Sequence, residues 1–238
     1  MWRLLIACLT PLPAVACDTA LLLTIDVSNS VDAAEYRLQT DGLADALADP
    51  AIVEALVQGN SALAVMQWSA EDEQTFVIPW TRVQTPYDAA RLSERARRQE
   101  RAFVLSGTAP AEAIHAAIDA FGPVADCRRR VIDVSGDGTP NTGGDVGAAR
   151  RRAELAGVTI NAIAIELMGV AISNFYRGQV ITRDGFVMTA RMHRDYPRAI
   201  RAKILRELSQ VIGAAEPDPR AQPPVGRRPF RSVANAIR

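Results

Sequence analysis

Three short stretches of this chain hold oxygen donors at spacings that suit a hard cation. Asp26-Val27-Ser28-Asn29-Ser30 puts a carboxylate and two hydroxyls on alternate positions, so one turning loop would aim all three side chains at a single point. Ser106-Gly107-Thr108 brings the hydroxyl of Thr108, and Gly136-Asp137-Gly138 brings a second carboxylate. Asp26, Ser28, Ser30, Thr108 and Asp137 together form an all-oxygen set, which takes Mg²⁺, Mn²⁺ or Ca²⁺ rather than a soft metal. The plainer alternative is turn and helix-cap chemistry, which Ser, Thr and Asp also perform.

The set is useful only if the fold gathers it. Residues 20–25 (ALLLTI) form a continuous apolar run that ends at Asp26, as expected of a strand buried on both faces of a parallel sheet. Further strands are expected over 61–68, 74–80, 130–135 and 158–165, with Pro79 marking a sheet edge because proline cannot donate to the ladder. Helices are expected over 32–47, 51–57, 87–101, 109–121 and 145–156, the last stopped by Gly157. A hairpin turning at Arg183-Asp184-Gly185 is expected over 179–187. The final helix, 196–212, carries Ile200, Ile204, Leu205, Leu208, Val211 and Ile212 as its inward face. Strands alternating with helices imply an α/β fold: a doubly wound, mostly parallel central sheet with one antiparallel edge strand, flanked by helices.

In such a sheet, functional groups collect where strands end and helices begin. A right-handed crossover makes the strand at 61 parallel to the first, and the short turn at 71–73 makes the next strand antiparallel. The following helix then returns the chain to the carboxyl edge and delivers Thr108 beside Asp26. The strand at 130 rises to the same edge and delivers Asp137.

These residues resemble the metal-ion-dependent adhesion site of von Willebrand factor type A domains: D-x-S-x-S, then a loop Thr, then Asp-Gly after a strand. The wider text IDVSNSVDAAEYRLQTDGLADAL, VIDVSGDGTPN and AIRAKILREL resembles a secreted bacterial family known only as domain-of-unknown-function family 1194, over about residues 17–213. The resemblance implies that Ser28 and Ser30 bind the cation directly and that Thr108 binds directly or through water. Asp26 and Asp137 would act through water or by holding the serines. Mg²⁺ is the first expectation, with Mn²⁺ or Ca²⁺ as alternatives. One position would stay open for an Asp or Glu carboxylate of a protein partner, since a cation held by few direct charges stays electrophilic. Asn29 stands where this pattern usually has glycine, and asparagine tolerates left-handed backbone. In such folds the first strand and the strand at 130 are neighbours. Cys17, nine residues before Asp26, and Cys127, ten before Asp137, would then meet at the opposite sheet edge as a disulfide.

The start of the chain supports an oxidising compartment. Residues 1–16 (MWRLLIACLTPLPAVA) carry Arg3, an apolar stretch and an A-V-A end, the pattern of a short secretory signal. Its removal takes Cys8 and leaves an even count of cysteines. The expected location is periplasmic or secreted. Lipid attachment to Cys17 is the lesser alternative, because A-V-A is a weak lipoprotein match. The domain then covers 17–213, and a flexible tail follows over 214–238, where residues 216–238 hold five prolines and five arginines against two acids.

The 238 residues balance 27 Lys+Arg against 27 Asp+Glu, which argues against a general nucleic-acid binder. The 48% hydrophobic content argues for a core, and no apolar run is long enough for a membrane span. GDGTPNTGG lacks the G-K-[ST] ending of a nucleotide loop, so no nucleotide is expected. Glu71-Asp72-Glu73 reads as a solvated turn. Arg91, Arg95, Arg97, Arg98 and Arg101 read as the solvated face of their helix. Asp133, inside a strand, needs a partner. A metal-dependent hydrolase is the rival function, and it lacks a general base: His115 and His193 read as structural or surface residues, so no enzyme is expected. A structural envelope protein with a vestigial site is the third reading.

Overall fold

Strand β1 (Thr19–Asp26) is buried along its whole length, and β2 (Ala62–Trp68) likewise. Both are short apolar runs, and burial on two faces is what a continuous run predicts. The computed structural model describes residues 16–213, with side chains through 209. The tail at 214–238 and all but the last residue of the expected signal lie outside the described residues.

A six-stranded sheet runs in the order β3-β2-β1-β4-β5-β6. It uses β3 (Gln74–Arg82), β4 (Arg129–Gly136), β5 (Thr159–Glu166) and β6 (Val187–Arg191) beside the first two. Only β3, at the edge and carrying Pro79, is antiparallel. Helices α1 (Ala33–Leu47), α2 (Pro50–Gln58), α3 (Pro86–Arg98) and α7 (Tyr196–Gly213) cover one face. There they meet Leu21, Leu23, Val65, Val131 and Ile163. Helices α4 (Pro110–Asp119), α5 (Val146–Leu155) and α6 (Ala171–Phe175) cover the other, against Leu22, Ala64, Trp68, Ile132 and Ala162. Adjacent residues of one strand thus feed two separate cores, the period of two that a pleated strand imposes.

The strand order reverses between β1 and β4, so the chain leaves a crevice at their carboxyl ends. At the opposite edge Cys17 and Cys127 are joined, with Cα atoms 4.4 Å apart, closing a sequence separation of 110. The Cys17 sulfur is used in this bond and is not free for a lipid thioether.

Two sequence expectations need correction. Residues 179–187 are not a hairpin. Residues Tyr176–Val180 are a wide helical turn, and the chain bends at Thr182–Gly185 to lie along β5 as the parallel strand β6. The bend at Arg183-Asp184-Gly185 exists and is closed by Gly185 N donating to Thr182 O at 2.9 Å, but beyond it the chain bonds to β5: Thr182 N donates to Ile160 O and Ala162 N to Phe186 O. Gly185 passes so close to Ile160 O that a Cβ there would collide with it. The helix expected to reach 101 ends at Arg98. A buried glutamine of β2 replaces its last turn: Gln67 Nε2 donates to Glu100 O at 3.0 Å, and Gln67 Oε1 accepts from Ala102 N at 2.8 Å.

Candidate metal centre

The loop after β1 turns on its own first residue. Asp26 Oδ1 accepts from Ser28 N at 2.8 Å, an Asx-type turn that leaves Oδ2 buried without a hydrogen-bond partner. Ser28 Oγ lies 3.2 Å from Ser30 Oγ, and Ser30 Oγ donates to Asp137 Oδ1 at 2.6 Å. The four side chains therefore form one connected chain across the β1–β4 crevice. Asp26 and Ser28 are buried, Asp137 is nearly so, and Ser30 stands exposed at the mouth.

The backbone of Thr108 is fixed by Asn141. Thr108 N donates to Asn141 Oδ1 at 2.9 Å, and Asn141 N donates back to Thr108 O at 3.1 Å. Its hydroxyl would lie 3.9 Å from a Cβ at Gly138, the neighbour of Asp137. Ser69 steadies the same loop, with Oγ donating to Gly107 O at 2.8 Å. No hydrogen bond joins Thr108 Oγ1 to the Asp26–Asp137 chain.

Arg101, expected on a solvated helix face, instead holds the first loop from beneath. Its Nη2 donates to Val27 O at 2.8 Å and Ser28 O at 2.9 Å, and its Nε to Phe103 O at 2.8 Å. The early end of α3 frees it to do so. The acidic turn at 71–73 is likewise more than solvated. Glu71 accepts from Thr142 Oγ1 at 2.5 Å and Gly143 N at 3.1 Å, Glu73 accepts from Ser106 Oγ, and Glu112 accepts from Gly144 N at 2.8 Å. Carboxylates thus occupy amides of the glycine-rich loop.

Sequence reasoning missed His193. It is 2% exposed, with Nδ1 3.0 Å from Glu35 Oε1 and Nε2 3.9 Å from Asp137 Oδ2. Glu35 serves twice, because its other oxygen closes the capping box that starts α1, accepting from Asp32 N at 2.9 Å. The D-x-x-E spacing at 32–35 was a legible sign for Glu35. His193 follows Met192 in a loop and gave no sign.

Burial pushes the Asp26 carboxyl up to about 7, against the pull of its bonds from Ser28, and the Asp137 charge adds to the rise. Burial also holds the Tyr176 hydroxyl well above its usual range. Tyr176 Oη, Asp26 Oδ2 and Asp137 Oδ2 are all buried without a hydrogen-bond partner. A Cβ on Gly136 would sit 2.5 Å from Tyr176 Oη and 2.9 Å from Asp26 Oδ2, so only glycine leaves this space open. Two close carboxylates, unsatisfied oxygens and nearby hydroxyls suit a small hard cation. Among the described residues no group of three or more His, Cys, Asp and Glu side chains is placed to hold a metal, so a cation here would depend on the hydroxyls.

Known proteins sharpen this picture. A family model described as protein of unknown function (DUF1194) matches residues 16–212. No curated protein matches the chain. Among solved structures, von Willebrand factor type A from Catenulispora acidiphila is similar at 16% identity and a TM-score of 0.55, over 83% of this chain and 43% of that one. The pilus adhesin SpaC from Lactobacillus rhamnosus GG, in its open conformation, is similar at 12% identity and a TM-score of 0.60, over 83% and 30%. Proximal thread matrix protein 1 from the mussel byssus, with a zinc-occupied MIDAS motif, is similar at 16% identity and a TM-score of 0.57, over 83% and 46%. The chain spans less than half the length of each of these, and at such identities the likeness establishes the fold alone. The fold is von Willebrand factor A-like, and the chain belongs to the DUF1194 family of proteins of unknown function.

Proposed function

We propose that this chain is an exported protein-binding module that holds a divalent cation, Mg²⁺ in the first instance, at Asp26, Ser28, Ser30, Thr108 and Asp137. The cation supplies a Lewis-acidic point for an Asp or Glu side chain of a protein partner. The observation that carries the reading is the pair of buried, unpartnered oxygens, Asp26 Oδ2 and Asp137 Oδ2, at the two ends of the Ser28–Ser30 hydroxyl chain. Such oxygens are costly without a counter-charge. The chain's own residues prepare the place: Arg101 fixes the first loop, Asn141 fixes Thr108, and Glu35 with His193 backs Asp137. The A-V-A signal and the Cys17–Cys127 disulfide support export to the periplasm or beyond.

One observation favours the hydrolase reading: an imidazole stands beside Asp137, where the sequence promised none. His193 is buried between Glu35 and Asp137, which suits a residue that orients Asp137 better than one that takes a proton from an exposed water.

Calorimetric titration of Mg²⁺ and Mn²⁺ into the wild type and a Ser28→Ala/Ser30→Ala variant tests the proposal. Saturable binding lost in the variant is the expected result. Equal binding by both proteins would overturn the site. So would a wild type that binds neither ion, with or without acetate as a stand-in carboxylate.

A further inference from the structure

Nine large hydrophobic side chains are exposed among the described residues, and six of them, Val104, Leu105, Leu167, Met168, Val170 and Met192, stand on loops at the carboxyl edge of the sheet. Scattered exposed apolar residues need no explanation, but a concentration on one edge does. Leu105 and Met192 also have left-handed backbone, with φ of 55° and 62°, which bulky residues adopt only when the surroundings impose it.

Four of the six surround a groove of about 830 Å³ between the loop that follows β5 and the junction of β6 with α7. The groove neighbours the candidate metal centre along the chain: between Met192 and Arg194, which line it, the buried His193 puts its Nε2 3.9 Å from Asp137 Oδ2. The groove's three arginines outnumber its two acids, and the Arg191 charge is only partly offset by Asp195. Glu166 is buried, with Oε1 accepting from Ser173 N at 2.6 Å, and Asp195 is taken by Arg198 at 2.6 Å and by Arg191 N at 2.9 Å. The exposed guanidinium groups of Arg191 and Arg194 form no ion pair among the described residues. The 216–238 segment, with five arginines against two acids, has the wrong charge to fill it.

We infer that this groove is a second contact point for the partner and takes a protein segment in which acidic and large apolar side chains alternate closely. The apolar side chains lie against Met168, Val170 and Met192, and the acidic ones meet Arg191 and Arg194. The inference rests on the proposed function, since the same segment would present a carboxylate to the cation. It narrows that proposal, because a carboxylate alone would not select a partner.

A random short-peptide display library, selected on the full chain in Mg²⁺, tests it. The enriched peptides should combine acidic with Leu, Met or Phe residues. They should bind on the order of tenfold more weakly to a Met168→Ser/Val170→Ser variant and to an Arg191→Glu/Arg194→Glu variant. Both variants change exposed side chains, and circular dichroism checks that they fold. Enriched peptides that need Mg²⁺ but bind both variants normally would overturn the groove and leave the metal site standing. Peptides lost on the groove variants yet indifferent to EDTA would support the groove and overturn the metal reading. No enrichment, or self-association of the chain abolished by the groove variants, would overturn the groove as a partner site.

Discussion

Strand β4 carries one buried carboxylate in its middle and delivers another at its end, and the two are treated in opposite ways. Asp133 Oδ2 lies 2.6 Å from Lys203 Nζ, which also sits 2.5 Å from Glu207 Oε1, and Asn161 Nδ2 donates to the same Glu207 oxygen at 3.0 Å. All three charged side chains are buried, so α7 is tied to the sheet by an ionic group, although Asp133 and Glu207 Oε2 make no hydrogen bond besides it. Four residues on, Asp137 shares its region with Asp26; no Lys or Arg forms an ion pair with either among the described residues, and the Arg101 charge offsets only a small part of the burial of Asp26. Their neighbours are hydroxyls, an amide, an imidazole and empty lone pairs. A buried charge with a cation built in serves structure, and buried charges left without one await a partner from outside. Burial raises Asp133 and Asp26 alike to about 7, so titration alone would not tell the two regions apart; the geometry of the counter-charges does.

The contrast breaks first at Lys203. Lys203→Met leaves Asp133 and Glu207 buried without their cation and should cost about 3–5 kcal/mol of unfolding free energy at pH 8. Urea denaturation measures this. A loss within experimental error would mean that the ionic group is solvated and structurally idle.

Asp26 should respond with the opposite sign. Burial pushes its carboxyl up to about 7 in the folded chain, well above the ordinary carboxylate range, so the folded chain binds the proton more tightly. Its contribution to stability is therefore greatest at low pH and is lost as pH rises from about 4 to about 7. Asp26→Asn, whose Oδ1 can still accept from Ser28 N, should stabilise the metal-free protein by about 1–3 kcal/mol at pH 8 and abolish cation binding. Thermal melts across pH with EDTA and with Mg²⁺ show both effects. A variant less stable than wild type at pH 8 would mean that the Asp26 charge is already compensated within the chain.

His193 gives the smallest effect. His193→Gln should leave unfolding free energy nearly unchanged while weakening Mg²⁺ binding about tenfold, as loss of an orienting neighbour does. Calorimetry reads the affinity and urea denaturation the stability. A large stability loss with unaltered affinity would place His193 with the structural region instead.

Much of this architecture was legible. Continuous apolar runs marked β1 and β2, Pro79 marked the edge strand, and the alternation of strands with helices implied the strand directions that bring 26–30, 108 and 137 to one edge, while the pairing of β1 with β4 came from the family resemblance. The hairpin at 179–187 failed because a turn signal says only that the chain bends. What each arm bonds to is decided by the free edge of β5. The final helix misled differently: Lys203 and Glu207 lie among its buried residues because Lys203 pairs with both Glu207 and Asp133, an interaction that hydrophobic periodicity does not register.

By itself, then, the order of residues determined the elements, their two-sided burial and the loops that carry the donors, since each of these follows from local spacing and strand chirality. Only the tertiary structure decided which charges are answered. Arg101 turns to the carbonyls of 27 and 28, Lys203 crosses to Asp133, and His193 arrives between Glu35 and Asp137 from more than fifty residues away. Pairings of that range depend on register and on the packing of whole helices, and no local pattern of side chains encodes them.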